Sequence, residues 1–198
     1  MREVRLSAFS AGRRKVIDEM TEVVDLKKAR LGAAVKRGFR NWKSQFHEDF
    51  GVNSTFSDLS RDTLTYLAQG RDKSTFYLFD LIMSLLSLGS GFEFNEINSK
   101  DKMAVMERHL FLLDRIRFEY MKRLGWLEGF PGQEYPLVDL VLRYDTLSPG
   151  LQSTPVLLSR RHPAFEIYRK MTPFEKEEFI RKLIPKALKT MENHSTTP

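Results

Sequence analysis

The feature that most constrains the fold is an apolar run, STFYLFDLIMSLLSLG, from Ser74 to Gly89. Most of its side chains favour burial, yet the run is shorter than the roughly 20 residues that a membrane-spanning helix needs. It therefore predicts a core helix and no membrane span. A single charged residue, Asp80, lies in the middle of this run and needs an explanation.

Helical spacing leaves two interpretations of Asp80 open. Residues at steps of three or four form one narrow polar strip along the helix, namely Lys73, Tyr77, Asp80, Ser84 and Ser87. In the first interpretation, Asp80 is a solvated or rim carboxylate on this strip, which reaches water or a polar partner. In the second, it faces a buried cation, Arg117, because charged side chains are rarely fully buried without a partner. Asp139 is the second candidate partner of Arg117.

The other patterned segments also have the period of a helix. They comprise about Arg13–Phe50 with a bend near Gly32, a segment capped by Ser57 or Ser60 that ends at Gly70, a helix capped by Ser99 that runs to about Leu124, a short segment from Pro136, and a last helix that TPFEKEEF begins. In this last start, Thr172 is the predicted cap and Glu175 completes a capping box. The stretch from Asp145 to Pro163 is predicted to be a long connection. Since no strand alternation persists, the sequence predicts an all-α fold, an irregular helical bundle of about five to seven helices.

The length of 198 residues predicts a single helical domain over residues 1–192, with residues 1–50 as a basic helical appendage and 193–198 as a disordered tail. The chain has no cysteine, which excludes disulfides and thiolate metal sites and agrees with a reducing, cytoplasmic location. The arginines and serines of the first fifteen residues leave a transit peptide open as an alternative.

The basic charge points to an acidic partner. The formal net charge is +6, and residues 1–50 carry twelve Lys and Arg against seven Asp and Glu. Within this region, Lys36, Arg40 and Lys43 form a ladder beside an aromatic stripe that contains Trp42. Cations next to aromatic rings can hold a phosphate backbone and stack bases. The alternative is that these cations are only the polar rim of a buried stripe.

Motifs for catalysis and cofactors are absent from the sequence. It has no glycine-rich phosphate loop, no G-x-S-x-G turn and no histidine pair at metal-ligand spacing, so we expect no cofactor, no metal and no catalytic residue. Arg117, His109 and Asp80 remain a candidate buried polar cluster. If they converged in a cavity, they would be the site of the alternative function, a helical enzyme.

The segment from Ser99 to Leu124 has two apolar sides. One is a broad arc, and the other carries Phe111 and Phe118, seven residues apart. Such a helix is either sandwiched between other helices or meets a second chain. We therefore expect a non-catalytic binding or regulatory protein that recognises an acidic protein or single-stranded RNA, and a homodimer through Phe111 and Phe118.

Overall fold

A computed structural model describes residues 26–195, with side chains to Thr190, and the strongly patterned segments within this range are helical. The predicted helix start near Arg13 and the transit-peptide alternative lie outside the described residues. The α-helices are α1 (residues 26–38), α2 (Arg40–Phe46), α3 (Arg61–Ala68), α4 (Asp72–Leu85), α5 (Ser99–Arg123), α6 (Leu137–Leu142), α7 (Tyr144–Ser153), α8 (Phe165–Tyr168) and α9 (Pro173–Ser195). Two 3-10 helices, Phe56–Asp58 and Gly91–Asn95, complete the helical elements. The predicted all-α class is confirmed.

Helix α5 lies at the centre of the bundle. It packs against α3, α4, α9, the first 3-10 helix and a short strand, β1 (Leu127–Gly129). Its second apolar side is covered, because Phe111 packs on Tyr144 with ring centres 5.2 Å apart and Phe118 packs on Phe130 at 6.0 Å. Both phenylalanines are buried within one chain. The predicted dimer surface at Phe111 and Phe118 is therefore wrong, and α5 is instead sandwiched between other elements.

The break in the first helical region lies at Phe39 and not at the predicted Gly32. Helix α1 continues through Gly32, and Phe39 has φ −92° and ψ 1° before α2 begins. Gly38 explains the position of the break, since a Cβ there would lie 3.0 Å from Leu81 Cδ1 and 3.2 Å from Leu81 Cα. The missing side chain lets the end of α1 approach the backbone of α4 closely.

The long connection predicted for residues 145–163 is also wrong, because it contains regular structure. Helix α7 occupies nearly half of it, and strand β2 (Leu157–Leu158) pairs antiparallel with β1 (Leu127–Gly129). The turn-forming residues Pro149 and Gly150 suggested a loop. However, Leu147 and Leu151 of α7 pack against the core, and tertiary packing outweighs weak helix propensity.

Two helix starts follow the predicted cap chemistry. The hydroxyl of Ser60 caps α3, and at the start of α9 the Thr172 amide donates to Glu175 Oε2 at 2.8 Å. The Glu175 amide donates back to Thr172 Oγ1 at 3.4 Å, which completes the predicted capping box. Helix α5 is capped by Asn98, one residue before the predicted Ser99.

Arg123 at the end of α5 joins this helix to the segment before α3. The buried carboxylate of Glu119 accepts a hydrogen bond from Arg123 Nε at 3.0 Å. The same guanidinium donates to the carbonyl oxygens of Leu59 at 2.7 Å and Phe56 at 3.2 Å. Arg123 therefore compensates a buried charge and holds the main chain of another element.

Arg123→Met is expected to lower the free energy of unfolding by about 3 kcal/mol, because it removes the hydrogen bonds to Glu119, Leu59 and Phe56 and leaves the buried carboxylate only its 3.6 Å contact with Lys122. Arg169→Met is the matched control, since Arg169 pairs with Glu166 at 2.9 Å on the surface. The control should cost about 1 kcal/mol or less. Urea unfolding of both variants measures the difference, and equal losses would show that the Arg123 cross-link does not stabilise the fold.

Candidate functional site

A cavity of about 560 Å³ lies between the α1–α2 region and α4. We call it the basic cavity, and its lining residues are Arg37, Arg40, Asn41, Asp80, Ser84, Ser87, Gly89, Ser90 and Phe92. It contains three members of the predicted polar strip, because α4 turns this strip toward α1 and α2. The strip is therefore the wall of a cavity.

Asp80 is buried in this wall and is only 3% exposed. Its Oδ1 accepts a hydrogen bond from the Gly91 amide at 3.0 Å, and its Oδ2 accepts one from Asn41 Nδ2 at 2.9 Å. The predicted pairing with Arg117 is wrong. Asp80 is not solvated either, but the polar strip does reach polar partners, as the first interpretation allowed. Glycine at position 91 allows the contact, because a Cβ there would lie 2.9 Å from the Asp80 nitrogen.

Two exposed arginines line the basic cavity. Arg37 and Arg40 lie one turn apart, and neither forms an ion pair with any residue of the part of the chain that the structure describes. The hydroxyl-bearing residues Ser84 and Ser87 line the same space. Guanidinium groups bind phosphate and carboxylate through paired hydrogen bonds, and hydroxyls can add further ones. The arrangement suits an anionic group that enters from solvent.

Phe92 adds an aromatic surface to the basic cavity. Its side chain is 79% exposed, and its ring packs on Phe76 with centroids 4.4 Å apart. One face of an exposed ring can stack a base. Sequence reasoning missed both Phe92 and Arg37. The available signal was the spacing of Arg37, which precedes Arg40 by three residues, whereas nothing local marks Phe92 as a neighbour of α1.

Only one cation of the predicted ladder lines the basic cavity. Lys36, Arg40 and Lys43 are all exposed, but Arg40 alone lines the cavity, and Lys43 forms an ion pair with Asp49. Trp42 is completely buried, and its indole donates to the Tyr77 carbonyl at 2.8 Å. The predicted contact of Trp42 with a ligand is therefore wrong, because its ring belongs to the core.

The predicted cluster of Arg117, His109 and Asp80 does not assemble as a hydrogen-bonded group. Arg117 Nε donates to the Ala68 carbonyl at 3.1 Å, and Arg117 Nη1 lies 4.0 Å from Asp114 on the same helix. Asp139, the second predicted partner of Arg117, instead pairs with Arg143 at 3.7 Å. The enzyme alternative rested on convergence of these three residues, and this geometry gives it no support.

His109 is a core residue without a hydrogen-bond partner. It is 6% exposed, both ring nitrogens are buried and unpartnered, and its ring lies 4.9 Å from that of Phe79. Burial, with a smaller contribution from the Arg117 charge, lowers the pKa of His109 to about 4. The imidazole is therefore neutral near pH 7.

The lowered pKa of His109 should make stability depend on pH. An unfolded histidine binds a proton near pH 6.5, whereas folded His109 does so only near pH 4. The unfolded state therefore binds more protons between these values, and stability is lost as pH falls through this window. Between pH 7 and pH 5, His109 should lower the free energy of unfolding by about 2 kcal/mol.

His109→Phe tests this expectation because phenylalanine keeps the ring and cannot titrate. Its loss of stability between pH 7 and pH 5 should be smaller than that of the wild type by about 2 kcal/mol. His47→Asn, at an exposed position, controls for the loss of a histidine as such. Urea unfolding at the two pH values gives the comparison, and the same pH dependence in His109→Phe and wild type would contradict the assignment.

No family model, curated protein or solved structure matches this chain. None of the described helices combines the length and the apolar character that crossing a membrane requires. Among residues 26–195, no group of three or more His, Asp or Glu side chains is placed to hold a metal ion.

Proposed function

We propose that this protein is a non-catalytic binding protein that recognises an acidic partner through the basic cavity. The observation that carries the proposal is the combination of two arginines without ion-pair partners among the described residues and an exposed aromatic ring, Phe92. We favour single-stranded RNA as the partner, because it presents phosphates and flat bases together. An acidic protein is the alternative, and a cytoplasmic location, in agreement with the absence of cysteine, is part of the same proposal.

In this proposal, the charged and the aromatic residues of the cavity contact different parts of the RNA. Arg37 and Arg40 would hold phosphate oxygens, and Phe92 would stack one base outside the cavity. Lys36 is exposed on α1, next to Arg37, and would add electrostatic attraction at longer range, which salt screens. Asp80 also lines the cavity, but its two oxygens already accept hydrogen bonds from Asn41 and Gly91, so the phosphate would contact the arginines and not this carboxylate.

The double variant Arg37→Gln/Arg40→Gln should weaken binding of labelled single-stranded RNA and reduce its dependence on salt. Each phosphate contact contributes about −0.7 to the slope of log affinity against log salt concentration, so the loss of two contacts should change the slope by about 1.4. Fluorescence anisotropy at several salt concentrations measures both quantities. Lys100→Gln/Lys170→Gln removes the same charge from exposed positions away from the cavity and should keep most of the wild-type slope.

Phe92→Ala should weaken RNA binding by about 1–3 kcal/mol without changing the salt slope, because stacking involves no counterion release.

An unstructured polyglutamate peptide serves as the second ligand and separates the two kinds of acidic partner. If this peptide binds with dependence on Arg37 and Arg40 but RNA does not, the partner is an acidic protein. If neither ligand binds at low salt, or the arginine variant retains the wild-type slope, the basic cavity is not a binding site.

A further inference from the structure

A second cavity, also of about 560 Å³, lies between α5, α7 and α9. We call it the α5–α9 cavity, and its apolar lining includes Leu110, Phe111, Phe118, Tyr144, Leu151 and Val156. Its volume falls within the range of small-molecule sites, roughly 300–1,000 Å³. None of the residues named for the basic cavity lines it.

Arg115 lines the α5–α9 cavity and is only 6% exposed. The centre of its guanidinium lies 3.7 Å from the ring centroid of Phe111, and its Nη2 donates to the Leu151 carbonyl over a long distance of 3.4 Å. Its Nε is buried and has no hydrogen-bond partner. Burial lowers the pKa of Arg115 to about 10, so the side chain is still a cation at neutral pH.

No carboxylate among the described residues forms an ion pair with Arg115, although acids line the same cavity. Asp114 pairs with Arg181 at 3.6 Å and lies 4.0 Å from Arg117. Glu177 pairs with the same Arg181 at 3.0 Å. These carboxylates already have cationic partners. The guanidinium of Arg115 contacts a ring and a carbonyl oxygen, and Asp114 acts on it as a nearby charge without forming an ion pair. A buried charge that is only partly compensated is costly.

Two large apolar side chains at the α5–α9 cavity are exposed to water. Leu110 of α5 is 55% exposed, and Phe174 in the first turn of α9 is 70% exposed. Burial of such surface stabilises a complex with an apolar ligand. The cavity therefore offers an apolar lining, exposed apolar residues and one buried cation. The N–H groups of this cation can donate hydrogen bonds to an anion.

We propose that the α5–α9 cavity binds a small monocarboxylate with an apolar body, whose carboxylate accepts hydrogen bonds from Arg115. The apolar body packs against Phe111, Phe118 and Leu151, and Leu110 and Phe174 close over it. This small-molecule site is separate from the acidic partner proposed for the basic cavity. Loss of either function leaves the other intact.

A purely structural role for Arg115 would be to hold the C-terminal end of α7 through the Leu151 carbonyl. Cations do stabilise helix C-termini. However, a guanidinium carries five N–H donors, and a single hydrogen bond of 3.4 Å uses one of them weakly. The two roles predict different effects of a neutral side chain with similar length. Methionine should leave the fold intact if Arg115 serves a ligand, and should destabilise it if Arg115 holds α7.

Isothermal titration of the full chain with decanoate tests the proposal, and decanol, which has the same body without the charge, is the matched ligand. Wild-type protein should bind decanoate at least tenfold more tightly than decanol. Arg115→Met should weaken decanoate at least tenfold, change decanol by less than twofold and melt at or above the wild-type temperature. Equal wild-type affinities for both ligands, no binding of decanoate, or unchanged decanoate affinity in Arg115→Met would overturn the proposal.

A second pair of variants decides the case in which Arg115→Met melts at a lower temperature. Leu110→Glu places a carboxylate at an exposed position of the cavity, so it should weaken decanoate at least fivefold and decanol less. Met103→Glu is the control, because Met103 is exposed on the same helix and does not line the cavity. It should change neither affinity by more than twofold. Equal effects of the two glutamates on decanoate would show that the ligand does not bind in the α5–α9 cavity.

Discussion

The structure depends on a central helix that is buried on nearly all sides yet carries charged residues. Helix α5 has Arg108, Arg115 and Glu119 at buried positions. Arg108 finds its partners on neighbouring elements, whereas Glu119 pairs with Arg123 of α5 itself, which in turn donates to the carbonyl oxygens of Leu59 and Phe56. Arg108 donates to Asp145 at 2.9 Å and to the Val141 carbonyl at 3.1 Å, which ties α5 to α6 and α7. Because each pair requires one arrangement of the flanking elements, these charges select the packing as well as stabilise it.

The sequence predicts the fold class and the caps at Ser60 and Thr172 because these features depend on neighbouring residues, although the cap of α5 is Asn98 and not Ser99. A period of 3.6 marks the apolar faces of α4 and α5, and the Thr172 box is complete within four residues. The predictions that failed depend on distant contacts. Helix α7 forms despite Pro149 because Leu147 and Leu151 reach the core, and the break at Phe39 follows from the approach of Gly38 to α4.

The candidate site could be predicted only in part for the same reason. Helical spacing identified Arg40 and the polar strip of Asp80, but the partners of Asp80 lie 39 and 11 residues away in the chain. A pattern of apolar residues shows that Trp42 can be buried, and it cannot show which side of the ladder lines a cavity. Arg117 illustrates the limit, since its strongest contact is a main-chain carbonyl of α3, which no side-chain pattern reveals.

His109 and Arg115 are equally buried on α5 but differ in charge at neutral pH, and this difference is why Arg115 and not His109 favours the binding of an anion. Both are 6% exposed, and both have a buried nitrogen without a partner. The histidine can lose its proton, since its pKa falls to about 4, and the neutral ring then packs in the core at modest cost. The arginine, with a pKa of about 10, stays charged at neutral pH. Its cost therefore persists in the free protein, and a carboxylate that enters the α5–α9 cavity would relieve it, so this cost favours binding of an anion there.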